Sequence, residues 1–494
     1  MLLFWPVVIP FLTAVAAILV RRSPATQRNV SLIGALALLA AAARVLAHVL
    51  AHGPIAAQAG GWPAPFGITF VADLLSATLV TLTGLVAVAA IVFARADVTP
   101  AEERHGFHPL THAMLAGVAG AFLTGDLFNL YVWFEVMLIA SFGLLVIGGA
   151  RAQLDGAVKY VGLNLIGTIA FLSGVGLLYG ATGALNMADL HVRLIGRETE
   201  APIIASAAFL IFAFGAKAAL FPVFSWLPAA YHTPAFATSA MFAALLTKVG
   251  VYALFRVFTL VYDVAGTPLQ TLLLWVAVLS MAAGALGALT QNTIRRALGF
   301  GIVASIGSII LGLAIGTPLA ILGGVFYLLQ DVLTKAALFM GAGATARVAG
   351  AENFAQAGGV WRARPWFAAL FLLPALSLAG VPPFAGFWAK LLLARATIDS
   401  GDYALTFAVL ATGFLTLYAV ARIWAAAFWS AHPGGDLARD RSAPAAMIAP
   451  IAALTALIVL VGVFAAPFID AVTIIASDLI DPAAYLAAVA GDRR

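Results

Sequence analysis

Long apolar runs separated by short polar stretches dominate the chain. A helix that crosses a bilayer needs about 20 mostly apolar residues. On that rule, spans are predicted near 2–20, 30–50, 70–94, 109–124, 127–148, 156–181, 201–224, 237–260, 268–290, 297–316, 319–346, 366–396, 403–429 and 444–470. The pattern predicts an all-α polytopic membrane protein of about fourteen transmembrane helices. The largest connections fall near 51–69, 182–200 and 347–365, and no long polar domain interrupts the series.

Against this background, a few polar positions stand inside apolar runs. Lys217 and Lys248 lie within Phe214–Arg256, each in a run long enough to span. A lysine at membrane depth costs roughly 2.5–3.5 kcal/mol on insertion scales, so it marks a functional site by default. Between them, Pro222-Val-Phe-Ser-Trp-Leu-Pro228 should break the seventh helix just after its lysine. Broken helices beside intramembrane charges are how ion-coupled transporters build sites at the midplane.

Glu135 is central in the fifth span and needs a proton or a cation; Lys217 is the natural partner. That pair reads either as a static bridge or as a switch. Lys248 has no carboxylate in its own span and reads as a proton carrier without a fixed partner, or as a snorkelling lysine. Lys390 follows Pro382-Pro383, where the twelfth helix must open, and the freed carbonyls must face protein or a wet cavity. In the eleventh span Gln330, Asp331 and Lys335 cluster, with Asp331 and Lys335 spaced to pair on one helix face. Lys159 and Asn164 lie in the sixth span, Lys159 near its edge, and Asp73 and Asp126 sit at span starts where capping or snorkelling explains them.

Composition sharpens the class. Of 494 residues, 63% are hydrophobic and 10% charged, against about 25% charged in a globular domain. There is no cysteine, which excludes disulfides and thiolate metal or iron–sulfur sites. The eight histidines are scattered without metal-ligand spacing. No P-loop pattern is present, so no metal or cofactor is expected. The net charge of +5 comes from arginines in short loops and is no nucleic-acid signal. Met1–Val20 lacks a cleavage motif and reads as a retained helix.

The loop arginines also orient the chain. Arg21, Arg22, Arg28, Arg95, Arg104, Arg151, Arg295, Arg296, Arg347, Arg362, Arg364, Arg439 and Arg441 fall on alternate connections, against Arg193, Arg197, Arg395, Arg493 and Arg494 on the others. The first set is expected to be cytoplasmic, placing both termini outside.

A faint internal echo joins Leu245–Arg256 to Thr412–Arg422, with Tyr-x-x-x-Arg in both. Five spans separate the members of each pair, which predicts two five-helix repeats of inverted topology. The expected organisation is helices 1–3 over 1–108, a first repeat over 109–260, a second over 261–430, and a last helix with a tail over 431–494.

Phe221–Pro228 followed by Leu246-Thr-Lys-Val-Gly-Val-Tyr252 resembles the signature of the antiporter-like membrane subunits of respiratory complex I, membrane-bound hydrogenases and Mrp-type cation/proton antiporters. Gly60–Gly67, Val71–Leu75, Gly125–Glu135 and Asp481–Tyr485 make the chain most similar to the D-type subunits of the Mrp group. The resemblance implies a proton-translocating subunit of a multi-subunit secondary sodium/proton antiporter in the bacterial inner membrane. It would be a transporter component, with a homologous antiporter-like subunit among its partners. It further implies a proton path through Glu135, Lys217, Lys248, Gln330, Lys335 and Lys390, with Asp331 and Lys159 as support. Many relatives carry histidine where Gln330 stands, and an amide cannot replace its proton uptake. A pump subunit of a redox complex, a non-conducting scaffold, and a cation or bicarbonate uptake module are the rival readings.

Overall fold

A computed structural model describes residues 1–62, 66–435 and 442–491. Pro63, Ala64 and Pro65 of the Gly60–Gly67 motif, and Arg439, Arg441, Arg493 and Arg494 of the charge pattern, lie outside the described residues.

Helices α1 (Leu2–Leu19) and α2 (Pro24–His52) lead into a hairpin of β1 (Ile55–Gln58) and β2 (Thr69–Ala72), antiparallel with Ile55 opposite Ala72. Then follow α3 (Leu74–Asp97), α4 (Phe107–Leu123), α5 (Leu127–Val146), α6 (Arg151–Thr182), α7 (Ala201–Ala218) and α8 (Phe236–Leu260). The second half holds α9 (Pro268–Leu289), α10 (Ile294–Ile315), α11 (Pro318–Ala349), α12 (Pro365–Ala379), α13 (Ala385–Asp399) and α14 (Tyr403–Trp429). It closes with α15 (Ala445–Val463), α16 (Ala465–Ile480) and α17 (Ala483–Gly491).

Local chemistry sets many of these limits. Proline occupies the first turn of α2, α7, α9, α11 and α12, where its missing N–H costs nothing and its φ is already helical. Asp73, Asp126 and Thr317 cap α3, α5 and α11 through their side-chain oxygens. Gly316 ends α10 in the left-handed conformation at φ +74°, which allows the chain to turn at once into α11.

Every predicted span has a helical counterpart. Among the described residues, twelve helices are long and apolar enough to cross a membrane; α4 and α12 are shorter apolar helices. The seventh helix stops at Ala218 rather than near 224, and the stretch predicted as one span at 366–396 is two helices, α12 and α13. The span predicted at 444–470 ends at Val463, and the expected tail folds as α16 and α17, bent by 72°. That segment carries Asp470, Asp478, Asp481 and Pro482, which lower its apolar signal although α16 packs one face onto α11 and α8.

Burial ranks the helices. The most apolar stretch of α8 is wholly buried, whereas that of α14 is 28% buried. Helices α8, α10 and α11 therefore form the interior, and the peripheral helices leave large apolar side chains such as Phe407 and Phe414 exposed. A helix apolar on every side is what an interior position in a membrane bundle needs.

Candidate functional site

Helices α5, α7, α8, α11 and α13 carry the polar side chains. On α5, Glu135 faces Lys217 of α7, with Nζ 3.8 Å from Oε1. Thr168 of α6 stands between them: its hydroxyl donates to Glu135 Oε1 at 2.6 Å and accepts from Lys217 Nζ at 3.4 Å. The lysine is buried beside the Phe134 ring, 5.9 Å from its centroid. The expected pair is present, and the bridging hydroxyl is an addition that no spacing rule announces.

Just past Lys217 the helix ends. Ala219 adopts φ +61°, and Trp226 Nε1 donates to the Ala216 carbonyl at 3.0 Å. Backbone freed at membrane depth is tolerable when protein groups satisfy it in this way. Gly250 of α8 lies against this helix end, and a Cβ there would sit 2.7 Å from Ala218 N and 3.0 Å from the Lys217 carbonyl carbon. Only a glycine lets α8 approach so closely, two residues from Lys248.

Lys248 is fully buried and makes an ion pair with Asp331 of α11 at 2.8 Å. The expectation of a lysine without a fixed partner is therefore corrected: the carboxylate comes from a neighbouring helix, which the composition of its own span could not reveal. A π-helical turn over Phe242–Leu246 also turns the Ala243 carbonyl to Lys248 Nζ at 2.8 Å. Such turns release carbonyls from the regular ladder and recur at functional sites.

Asp331 has a second lysine. Lys335, one turn along α11, places Nζ 3.6 Å from Oδ1 and donates to the Gly301 carbonyl of α10 at 3.1 Å. The predicted one-face pair thus exists, but Asp331 is shared between two cations. Gln330 accepts from Thr334 at 2.9 Å. Lys390, on α13 after the second break, donates to the Leu378 and Ala379 carbonyls at 3.0 and 2.8 Å. The carbonyls freed at the break around Pro382 and Pro383 are thus taken by the lysine itself.

Two residues stand apart from this set. Lys159 is exposed and paired with Asp155 at 2.6 Å on its own helix. Asp73 does cap α3, accepting from Ser76 N at 2.9 Å, but it is also buried and paired with Arg256 of α8. Sequence reasoning missed Arg256 and Thr168 as members of the polar interior. Tyr-x-x-x-Arg was the available signal for Arg256.

Lysines and carboxylates buried in a helical bundle, two of the lysines at helix breaks, define an ion-coupled membrane protein of the antiporter-like class. Residues 124–416 match the family model described as NADH:quinone oxidoreductase/Mrp antiporter, transmembrane, and the chain belongs to that family. It is 38% identical over 488 residues to the D-type Na+/H+ antiporter subunit of Alkalihalophilus pseudofirmus, covering 99% of both chains. Identity to the D-type Na+/H+ antiporter subunit of Bacillus subtilis is 35%, covering 98% of both. Among solved structures, a chain of the Mrp complex from Dietzia sp. superposes with TM-score 0.92 at 31% identity, covering 99% of this chain and 98% of that one. A chain of respiratory complex I from Thermus thermophilus shares the fold, with TM-score 0.84 at 23% identity over 98% and 99%.

Proposed function

We propose that the chain is a proton-translocating subunit of a multi-subunit Na+/H+ antiporter in the bacterial inner membrane. The observation that carries this reading is the set of four lysines inside the bundle: Lys217 pairs with Glu135, Lys248 and Lys335 share Asp331, and Lys390 rests on the Leu378 and Ala379 carbonyls. Near full-length likeness to two proteins named for sodium/proton antiport supports it. The partners would be the other subunits of the complex, a homologous antiporter-like subunit among them, with both termini on the outer side.

In this reading protons enter and leave through half-channels and move laterally along Glu135/Lys217, Lys248–Asp331–Lys335 and Lys390, with water completing the gaps. Gln330 contributes an amide dipole rather than a proton site, and Asp331 fills the role of the central partner. Opening the Glu135–Lys217 pair frees a positive charge on α7, which packs against the helix that carries Lys248. Unit charges 4 Å apart interact by about 4 kcal/mol at an effective dielectric of 20, falling inversely with distance, which is enough to shift a proton between neighbours. The cation enters here as substrate of the whole complex. The two helix breaks at Ala219 and Gly380, each beside one of these lysines, support a division into five-helix repeats of opposite sense over 109–260 and 261–430.

The test is the sodium-dependent pH change in inverted vesicles holding the complete complex, with Lys248→Ala compared at equal assembly. Loss of the response with the complex intact puts Lys248 on the proton path. An unchanged response turns these lysines into scaffolding. A pH response that needs a redox donor instead of sodium would move the chain to the redox-driven branch of the family.

A further inference from the structure

Below Lys248 a second polar file runs to the end of α8. Lys248, Tyr252 and Arg256 are spaced four residues apart and share one helix face. The Tyr252 hydroxyl donates to the Phe122 carbonyl at 2.8 Å and accepts from Arg256 Nε at 3.4 Å. Arg256 pairs with Asp73, whose other oxygen caps α3. The guanidinium lies over two rings, 5.0 Å from the centroid of Tyr485 on α17 and 5.5 Å from that of Tyr252. Arg256, Asp73, Tyr252 and Tyr485 are all buried.

Beyond this cluster the protein opens. A cleft of ≈ 440 Å³ is lined by Thr259, Tyr262, His191, Thr317 and Leu479. Thr259 is three residues past Arg256 on α8, so the cluster occupies the stretch of helix between Lys248 and the cleft. The cluster lies at the start of α3, the end away from Arg95. A buried ion pair is a poor way merely to fasten a helix, since its desolvation offsets the Coulomb gain and apolar packing does as well. A fixed guanidinium across a polar path does something apolar packing cannot: it repels protons and other cations, as positive groups do in selective pores.

We propose that Arg256, held by Asp73 and covered by Tyr485, is the electrostatic gate of the half-channel that joins Lys248 to the cleft at the α3 N-terminal face. The inference rests on the proton-path reading of Lys248. With Arg256 held at Asp73 and against the Tyr485 ring, protons do not pass between Lys248 and the cleft. Displacing the guanidinium, or the α17 helix whose Tyr485 covers it, opens the path. Helix α17 thereby couples the state of the half-channel to whatever moves the C-terminal helices.

The experiment measures collapse of a preset pH gradient in vesicles holding the complete complex without sodium. Arg256→Gln is expected to speed the collapse on the order of tenfold, the factor that about 1.4 kcal/mol of lost barrier gives. Adding Lys248→Ala to that variant should return it to the wild-type rate. Asp73→Asn combined with Arg256→Gln removes both charges, keeps the volume and a competent cap, and should leak equally; it serves as the variant that folds if the single change does not. An unchanged leak in assembled variants overturns the gate, as does a leak that survives Lys248→Ala. Loss of assembly in both variants also overturns it, leaving the cluster as a fastening for α17. Failure of the proton-path reading itself is seen separately, as sodium-driven antiport that persists in Lys248→Ala alone.

Discussion

Two lysine–carboxylate pairs lie inside the helical bundle, and they are built differently. Lys248 and Asp331 meet at 2.8 Å with both side chains wholly enclosed, whereas Lys217 and Glu135 stand 3.8 Å apart with the glutamate 20% exposed. The tight pair is hemmed in by Lys335 and by carbonyls of two helices. The loose pair is held through Thr168 and ends on a broken helix. An enclosed pair with a competing third charge cannot separate without stranding a charge in a medium that penalises it. A spaced, hydroxyl-bridged pair at a helix end can open with less cost. In the proposed path Asp331 is accordingly the fixed hub and Glu135 the switch.

The largest effect should come from the hub. Asp331→Asn leaves Lys248 and Lys335 facing each other without a carboxylate, and breaking a buried pair in this way costs about 3–5 kcal/mol. Antiport should vanish and the yield of assembled complex should fall, read by native-gel quantification; full assembly would show that the pair is not enclosed in the membrane. Glu135→Gln keeps the shape and a Thr168 contact. Antiport should drop on the order of tenfold or more, the factor of about 1.4 kcal/mol, with assembly unchanged. A matching loss of assembly would make it a static bridge.

Gly250→Ala drives a methyl into the backbone around Lys217 and Ala218, an overpacking of about 1–3 kcal/mol. It should lower both thermal stability of the detergent-solubilised complex and antiport rate, by pushing α8 away from the switch. Thr168→Val removes the bridging hydroxyl. Hydrogen bonds to charged groups are worth about 1.5–3 kcal/mol, shared here between the open and closed pair, so antiport should fall only a few-fold with assembly intact. Equal losses in Thr168→Val and Glu135→Gln would mean that the hydroxyl, rather than direct charge contact, closes the pair.

The polar interior was partly legible because membranes make charges conspicuous. Glu135, Lys217, Lys248 and Lys390 stand out against runs of apolar residues, and Pro222, Pro382 and Pro383 mark where the helices must open. Arg256 was less visible, because an arginine near a helix end reads equally as an interfacial anchor. The echo of Tyr252–Arg256 in Tyr418–Arg422 shows the limit of such signals. The first pair is buried, whereas Tyr418 is exposed and Arg422 lies over the Phe354 ring. The same spacing serves an interior helix in one case and a peripheral one in the other. Helices α16 and α17 were hidden for a related reason: acidic residues and Pro482 diluted an apolar face that only packing makes evident.

By itself the sequence determined the membrane class, the helix positions up to Val463, the two breaks and the intramembrane lysines, because apolar length, proline chemistry and the cost of a charge in hydrocarbon are local properties. Tertiary structure decided the partners. Asp331 reaches Lys248 from another helix, Thr168 enters the Glu135–Lys217 pair from a third, and Asp73 meets Arg256 across 183 positions of chain. Contacts of that kind depend on which helix faces which, and helix packing is set by the fit of whole surfaces rather than by any one span.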